Sequence, residues 1–136
     1  EPVGLRLARE RLGGADGRGE DVVRLVDPPA QEEQVAEADG RRRGHAAVAG
    51  VAKAHTQAPD LLGSWLHFGQ RKIAVKVKSE ADVLALQERA REAGLVTAAI
   101  RDAGHTQIAA GSLTVLAIGP AHGADIDPIT GDLDLL

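Results

Sequence analysis

The sequence predicts an α/β protein, a three-layer α/β/α sandwich around a small mixed sheet of four strands. Three observations carry this. From His45 to the C-terminus, stretches with helical apolar spacing alternate with short β-branched runs. Gly or Pro stands at most of the changeovers. Apolar strands that alternate with helices need cover on both faces, which is the layered arrangement.

Residues 1–44 have a different texture. They hold eight Arg and no Lys among scattered Gly, Asp, Glu and Ala, and bury too little to fold well alone. They are expected to be a divergent, partly disordered segment preceding a domain at 45–136. One strand is expected here, Val22 to Val26, stopped by Pro28-Pro29, which remove ladder donors. Gln31 to Ala38 could make a polar helical turn or two. Arg41-Arg42-Arg43 reads as a solvated basic cluster, with a phosphate-binding patch as the alternative.

In the domain, Ala46, Ala47, Val48, Val51 and Ala52 give a small-residue helix face beginning at His45 and ending near Gln57. Such a helix can approach a sheet closely. Asp60 to Phe68 is a second helix with Leu61, Leu62, Trp65 and Phe68 toward the core, closed by Gly69. Ile73 to Val77 alternates as a half-buried strand. Ser79 is placed to cap a helix carrying Val83, Leu84, Leu86, Ala90 and Ala93, with Gly94 at its C′ position. Val96 to Ile100 and Ser112 to Ile118 are apolar strands. Ile126 onward reads as a short acidic tail with a turn at Thr130-Gly131.

At 136 residues with 43% hydrophobic content, the chain suits one domain. There is no Cys, so thiolate chemistry is excluded and any zinc would need the five scattered His. The absence of a long apolar run predicts no membrane span. A net charge of -4 argues against a uniformly basic polyanion binder but allows a local basic patch. With Trp65 and Phe68 the only aromatics, any RNA contact should be to phosphate and ribose rather than by base stacking.

The string from Ile100 to Pro120, Ile-Arg-Asp-Ala-Gly-His-Thr-Gln-Ile-Ala-Ala-Gly-Ser-Leu-Thr-Val-Leu-Ala-Ile-Gly-Pro, resembles the signature of the type 2 peptidyl-tRNA hydrolase family. His45-Ala-Ala-Val48, the Gly69-Gln70-x-Lys72 turn, Glu92-Ala-Gly-Leu95 and Ile129-Thr-Gly-Asp-Leu133 agree in order. The resemblance implies hydrolysis of the ester joining peptide to the 3′ end of tRNA, without metal or other cofactor. It also implies peptidyl-tRNA as partner, a homodimer, and a cytoplasmic location with mitochondrial association as the eukaryotic variant. The alternative is a non-catalytic adaptor that keeps the fold and binds tRNA ends or protein.

Departures from the family pattern are equally specific. The Val-Val-Arg that ends the family's first strand is matched by Val22-Val-Arg24, but the Gly-Lys-Gly-Lys loop after it is absent. Counting back from His45, the family's active-site Lys falls on Ala38 and its Gln on Arg42. Real divergence by insertion and an out-of-frame or intron-derived stretch are both open for residues 20–44. Loss of the Lys predicts weak hydrolysis unless Arg42 or Arg43 substitutes.

The chemistry needs an oriented water, oxyanion donors and cations for the terminal phosphate. Taken alone, Asp102 is a turn carboxylate at the end of a strand; the resemblance gives it a catalytic role. The resemblance likewise makes Thr106 a water orienter or oxyanion donor and His45 a base or donor. A helix-start imidazole is held neutral by the helix dipole. Gln107 would bind ribose or the ester carbonyl. Arg71, Lys72 and Arg101 are the expected substrate-binding cations, with Lys76 and Lys78 beside them. His105 stands where the family has Arg, which predicts phosphate binding that weakens as pH rises.

Overall fold

The computed structural model describes residues 21–28, 36–101 and 113–136. Along them run β1 (Asp21–Asp27), α1 (Ala36–Gln57), α2 (Pro59–His67), β2 (Lys72–Lys76), α3 (Glu80–Glu92), β3 (Thr97–Arg101), β4 (Leu113–His122), α4 (Gly123–Thr130) and β5 (Asp134–Leu135). The strands form one sheet in the order β3-β4-β1-β2-β5. β1 and β2 are parallel, β4 is antiparallel to β1 and β3, and β5 is antiparallel to β2. The sheet is mixed as expected, but it has five strands and not four. The fifth is the two-residue β5, too short to show a period in sequence.

β1 occupies the middle of the sheet and all seven of its residues are buried. Its alternation feeds two separate cores. Val22 and Val26 pack with Leu116, Ile118, Val83 of α3 and Ile126 of α4. Val23 and Leu25 pack on the other side with Ala46 and Ala54 of α1 and Leu62 and Trp65 of α2. One core on each face of the sheet makes the three layers.

The small-residue face of α1 does what its side chains allow. Ala46, Ala47, Gly50 and Ala54 are buried against the sheet. A Cβ on Gly50 would stand 3.4 Å from the Gly119 carbonyl oxygen and 3.8 Å from the Ala117 Cβ, so the helix axis lies as near the sheet as a side chain there permits. Val48 (67% exposed) and Ala52 lie on the solvent side, against expectation, because the buried stripe follows 46, 47, 50 and 54. The helix also starts at Ala36, nine residues before the expected start. Its first turns are polar and give no apolar period to read.

In α3 the Asp82 backbone N–H donates to Ser79 Oγ at 3.1 Å, and Gly94 follows with φ +79°, so both caps are as the sequence predicts. Leu84 is 42% exposed. Phe68 is 46% exposed and not core; it ends α2 and meets only the His67 ring edge-on in its aromatic contacts. The expected acidic tail is largely a helix, α4, which Pro128 and two Asp obscure in sequence and whose Ile126 and Ile129 are buried. β4 runs four residues beyond Ile118. No helix among the described residues is long and apolar enough to cross a membrane.

Candidate active site

Three contacts orient α1 on the sheet. Arg43 Nη1 donates to Asp27 Oδ2 at 2.6 Å, at the end of β1. Gly50 lies over Ala117 in mid-sheet. Lys53 Nζ donates to the Thr97 carbonyl at 2.8 Å, at the start of β3. α1 therefore runs antiparallel to β1 and β3, and its first turns project past their C-terminal ends.

Register places the point where the chain leaves β3 at that same edge. Ile100 pairs with Val115, and Leu116 with Val26, so Ile100 is level with Asp27. Arg101 pairs with Leu113, about 7 Å further along the strand direction. Ala38 precedes Arg43 by five residues and so lies about 7.5 Å beyond it along the helix. The first turn of α1 and the point where the chain leaves β3 thus stand at one level, with β4 and β1 between them. Crevices outside the carboxyl ends of parallel strands are where α/β sheets commonly hold ligands.

The sequence-predicted residues divide in three. Asp102, His105, Thr106 and Gln107 lie outside the described residues, in the connection that leaves the sheet at Arg101 and returns at Leu113. His45 and Arg101 belong to this end of the molecule, and both are exposed. His45 is the tenth residue of α1, so the helix-dipole argument for its protonation state does not apply: the dipole acts within the first turn. It points to solvent on the side of Val48, away from the buried stripe. Arg71 and Lys72 are elsewhere. Lys72 pairs with Val23, four residues or about 13 Å back from Asp27, which places both at the opposite edge of the sheet.

The Arg41-Arg42-Arg43 run splits by the helical rotation of 100° per residue. Arg41 is exposed, Arg42 half-buried, and Arg43 turns inward to Asp27. Sequence reasoning missed Asp27. Its one signal is an acid closing an apolar run just before Pro28-Pro29.

Between α1, α2 and the β1–β2 pair runs an open groove of about 700 Å³. Leu25, Ala47, Val51, Trp65, Leu66 and Ala74 supply its walls. Arg43 stands at one end and Lys72 with Gln70 at the other. Lys72 Nζ lies 5.4 Å from the Trp65 ring centre and donates to the Gln70 carbonyl at 2.9 Å.

At the edge opposite the end of β3, Ser64 Oγ donates to Asp21 Oδ2 at 2.6 Å, and His122 Nδ1 lies 2.7 Å from Asp21 Oδ1. Burial pushes the Asp21 carboxyl up, but the hydrogen bonds to His122 and Ser64 and the charge of His122 outweigh it, and the group sits below its ordinary value. The serine is bonded to the acid and not to the imidazole, so this is a joint between β1, β4 and α2 and no nucleophile arrangement.

Residues 41–136 match the family model described as peptidyl-tRNA hydrolase PTH2. The chain belongs to that family. It is 53% identical over 93 residues to a protein of Drosophila melanogaster named probable peptidyl-tRNA hydrolase 2, covering 68% of this chain and 50% of the relative. A peptidyl-tRNA hydrolase of Methanocaldococcus jannaschii is 45% identical over 93 residues, 68% of this chain and 81% of the relative. The human peptidyl-tRNA hydrolase 2, mitochondrial, is 44% identical over 91 residues, 67% and 51% respectively. The chain thus spans about half the length of the two animal proteins. The PTH2 match begins at Arg41, so β1 and the first turn of α1 lie outside it, although β1 is buried at the sheet's centre.

Proposed function

We propose that this chain hydrolyses the ester bond of peptidyl-tRNA, releasing tRNA and peptide, in the cytoplasm. The observation that carries the reading is the PTH2 match across 41–136, which contains the whole Asp102–Gln107 stretch. Each relative named above is a hydrolase by name, and none favours the adaptor alternative.

In this reading Asp102 activates or orients the attacking water, Thr106 supplies a hydroxyl to it or to the oxyanion, and His45 acts as donor or base. Gln107, Arg101 and His105 hold the ribose and terminal phosphate. Arg71 and Lys72, at the other edge, contact RNA further from the ester. A fixed cation at the first turn of α1 would stand at the level where the chain leaves β3, and Ala38 belongs to that turn. Each transition-state contact worth about 1.4 kcal/mol changes the rate roughly tenfold.

The test is release of peptide from peptidyl-tRNA by this chain and by Ala38→Lys. Hydrolysis by the chain, raised at least tenfold by the lysine, is expected. No hydrolysis by either protein would sink the reading.

A further inference from the structure

We propose that the groove between α1 and α2 binds the single-stranded 3′-terminal nucleotides of the RNA, with Arg43 and Lys72 each taking a phosphate. This rests on the hydrolase reading and deepens it, because it says where the RNA leading to the ester lies. The protein carries a net charge of -4, yet among the described residues the groove's lining holds Lys72 and Arg43, the latter paired with Asp27, and no carboxylate. Such a trough suits an occupant that is anionic and partly apolar, and nucleotides are both.

The geometry supports a track rather than a single anion point. Arg43 is held by Asp27 at 2.6 Å, which fixes its guanidinium at the edge where the chain leaves β3. Lys72 is held over Trp65 at the far end, about 13 Å back along β1. Bases between them would lie against Val51, Leu66 and Ala47, since Trp65 is only 3% exposed and gives little ring face for stacking. On the helix side Gly40 and Gly44 carry no side chain, and nothing among the described residues stands within 4 Å of where a Cβ would be. The split of the basic residues between two sheet edges then has a purpose: the chain of phosphates spans both.

Trp65 is the chain's single tryptophan and reports on the groove directly. The probe is a single-stranded RNA tetranucleotide ending in CCA, titrated at several salt concentrations. Saturable change in Trp65 emission is expected. Lys72→Gln, on an exposed residue, should weaken binding about fivefold and lower the slope of log affinity against log salt by about 0.7, one single-strand phosphate contact. The double variant Asp27→Asn with Arg43→Gln keeps a neutral hydrogen-bonding pair and should do the same; thermal unfolding checks that both variants fold. Unchanged affinity and slope in both variants overturns the proposal, as does RNA binding that leaves Trp65 unaffected. A wild-type dimer that Val48→Glu dissociates without changing RNA binding would assign the groove to a second copy, and so overturn it too. Peptidyl-tRNA hydrolysis is measured alongside: if it persists while the groove ignores RNA, this inference fails and the hydrolase reading stands. If RNA fills the groove but neither the chain nor Ala38→Lys hydrolyses, the hydrolase reading fails instead.

Discussion

The guanidinium of Arg24, in the middle of β1, donates from Nη1 to Thr130 Oγ1 at 2.9 Å, joining the central strand to a helix 106 residues later in the chain. Its Nη2 donates to Asp127 Oδ1 at 3.0 Å, and the same threonine donates to the Ile126 carbonyl at 3.3 Å. Arg24 is 7% exposed and its Nε has no hydrogen-bond acceptor among the described residues, so the remaining bonds matter more. Thr130→Val keeps the shape and removes the hydroxyl. It should cost about 1–3 kcal/mol, read as a lower urea midpoint with an unchanged slope. Asp127→Ala should cost about 1 kcal/mol or less, because that carboxylate is 63% exposed.

The Arg43–Asp27 pair is more enclosed, with side chains 22% and 12% exposed. Removing the cation leaves a carboxylate in a poorly hydrated place. Arg43→Ala should therefore destabilise by about 3 kcal/mol, and Asp27→Asn in the same protein should recover part of that. A double-mutant cycle on urea midpoints measures the coupling; additive losses would show that the two charges do not support each other.

Asp21 sets a pH dependence whose sign follows from its lowered folded value. A carboxyl that is more acidic folded than unfolded stabilises the fold above the unfolded value of 3.8, and that stability is lost as pH falls through the folded value. Asp21→Asn should flatten the stability curve below about pH 4 and lower stability at neutral pH. Urea unfolding at a series of pH values checks this. A wild-type curve that the substitution leaves unchanged on the acid side would refute it.

For the chemistry, Asp102→Asn and Thr106→Ala should each lower kcat by about a hundredfold or more with smaller effects on KM. His105→Arg should remove the loss of tRNA affinity between pH 6 and pH 8, since a guanidinium stays charged throughout. Single-turnover hydrolysis and filter binding give the two readouts. Equal kcat in Asp102→Asn would move the catalytic role elsewhere.

Much of the fold could be read from residues whose period is local. Val22 to Val26 is an apolar, β-branched run stopped by prolines and lies within β1; Ser79 and Gly94 bracket α3 because caps depend on a few neighbouring backbone groups. α4 was not legible, because two buried isoleucines among aspartates and a proline have no pattern until Arg24 and the sheet give them a surface to pack on. The start of α1 was hidden for the same reason: Ala36 to Gly44 carries no apolar stripe in sequence, and among its inward contacts is the ion pair from Arg43 to Asp27.

The sequence by itself determined the family and the layered α/β architecture, since these follow from short-range order and motif. Only the tertiary structure decided that Arg43 faces Asp27 while Arg41 faces water, that His45 lies along a helix and not at its start, and that Arg71 and Lys72 stand an edge away from Arg101. Such facts depend on strand register and helix direction, which bring together residues whose separation along the chain says nothing about their separation in space.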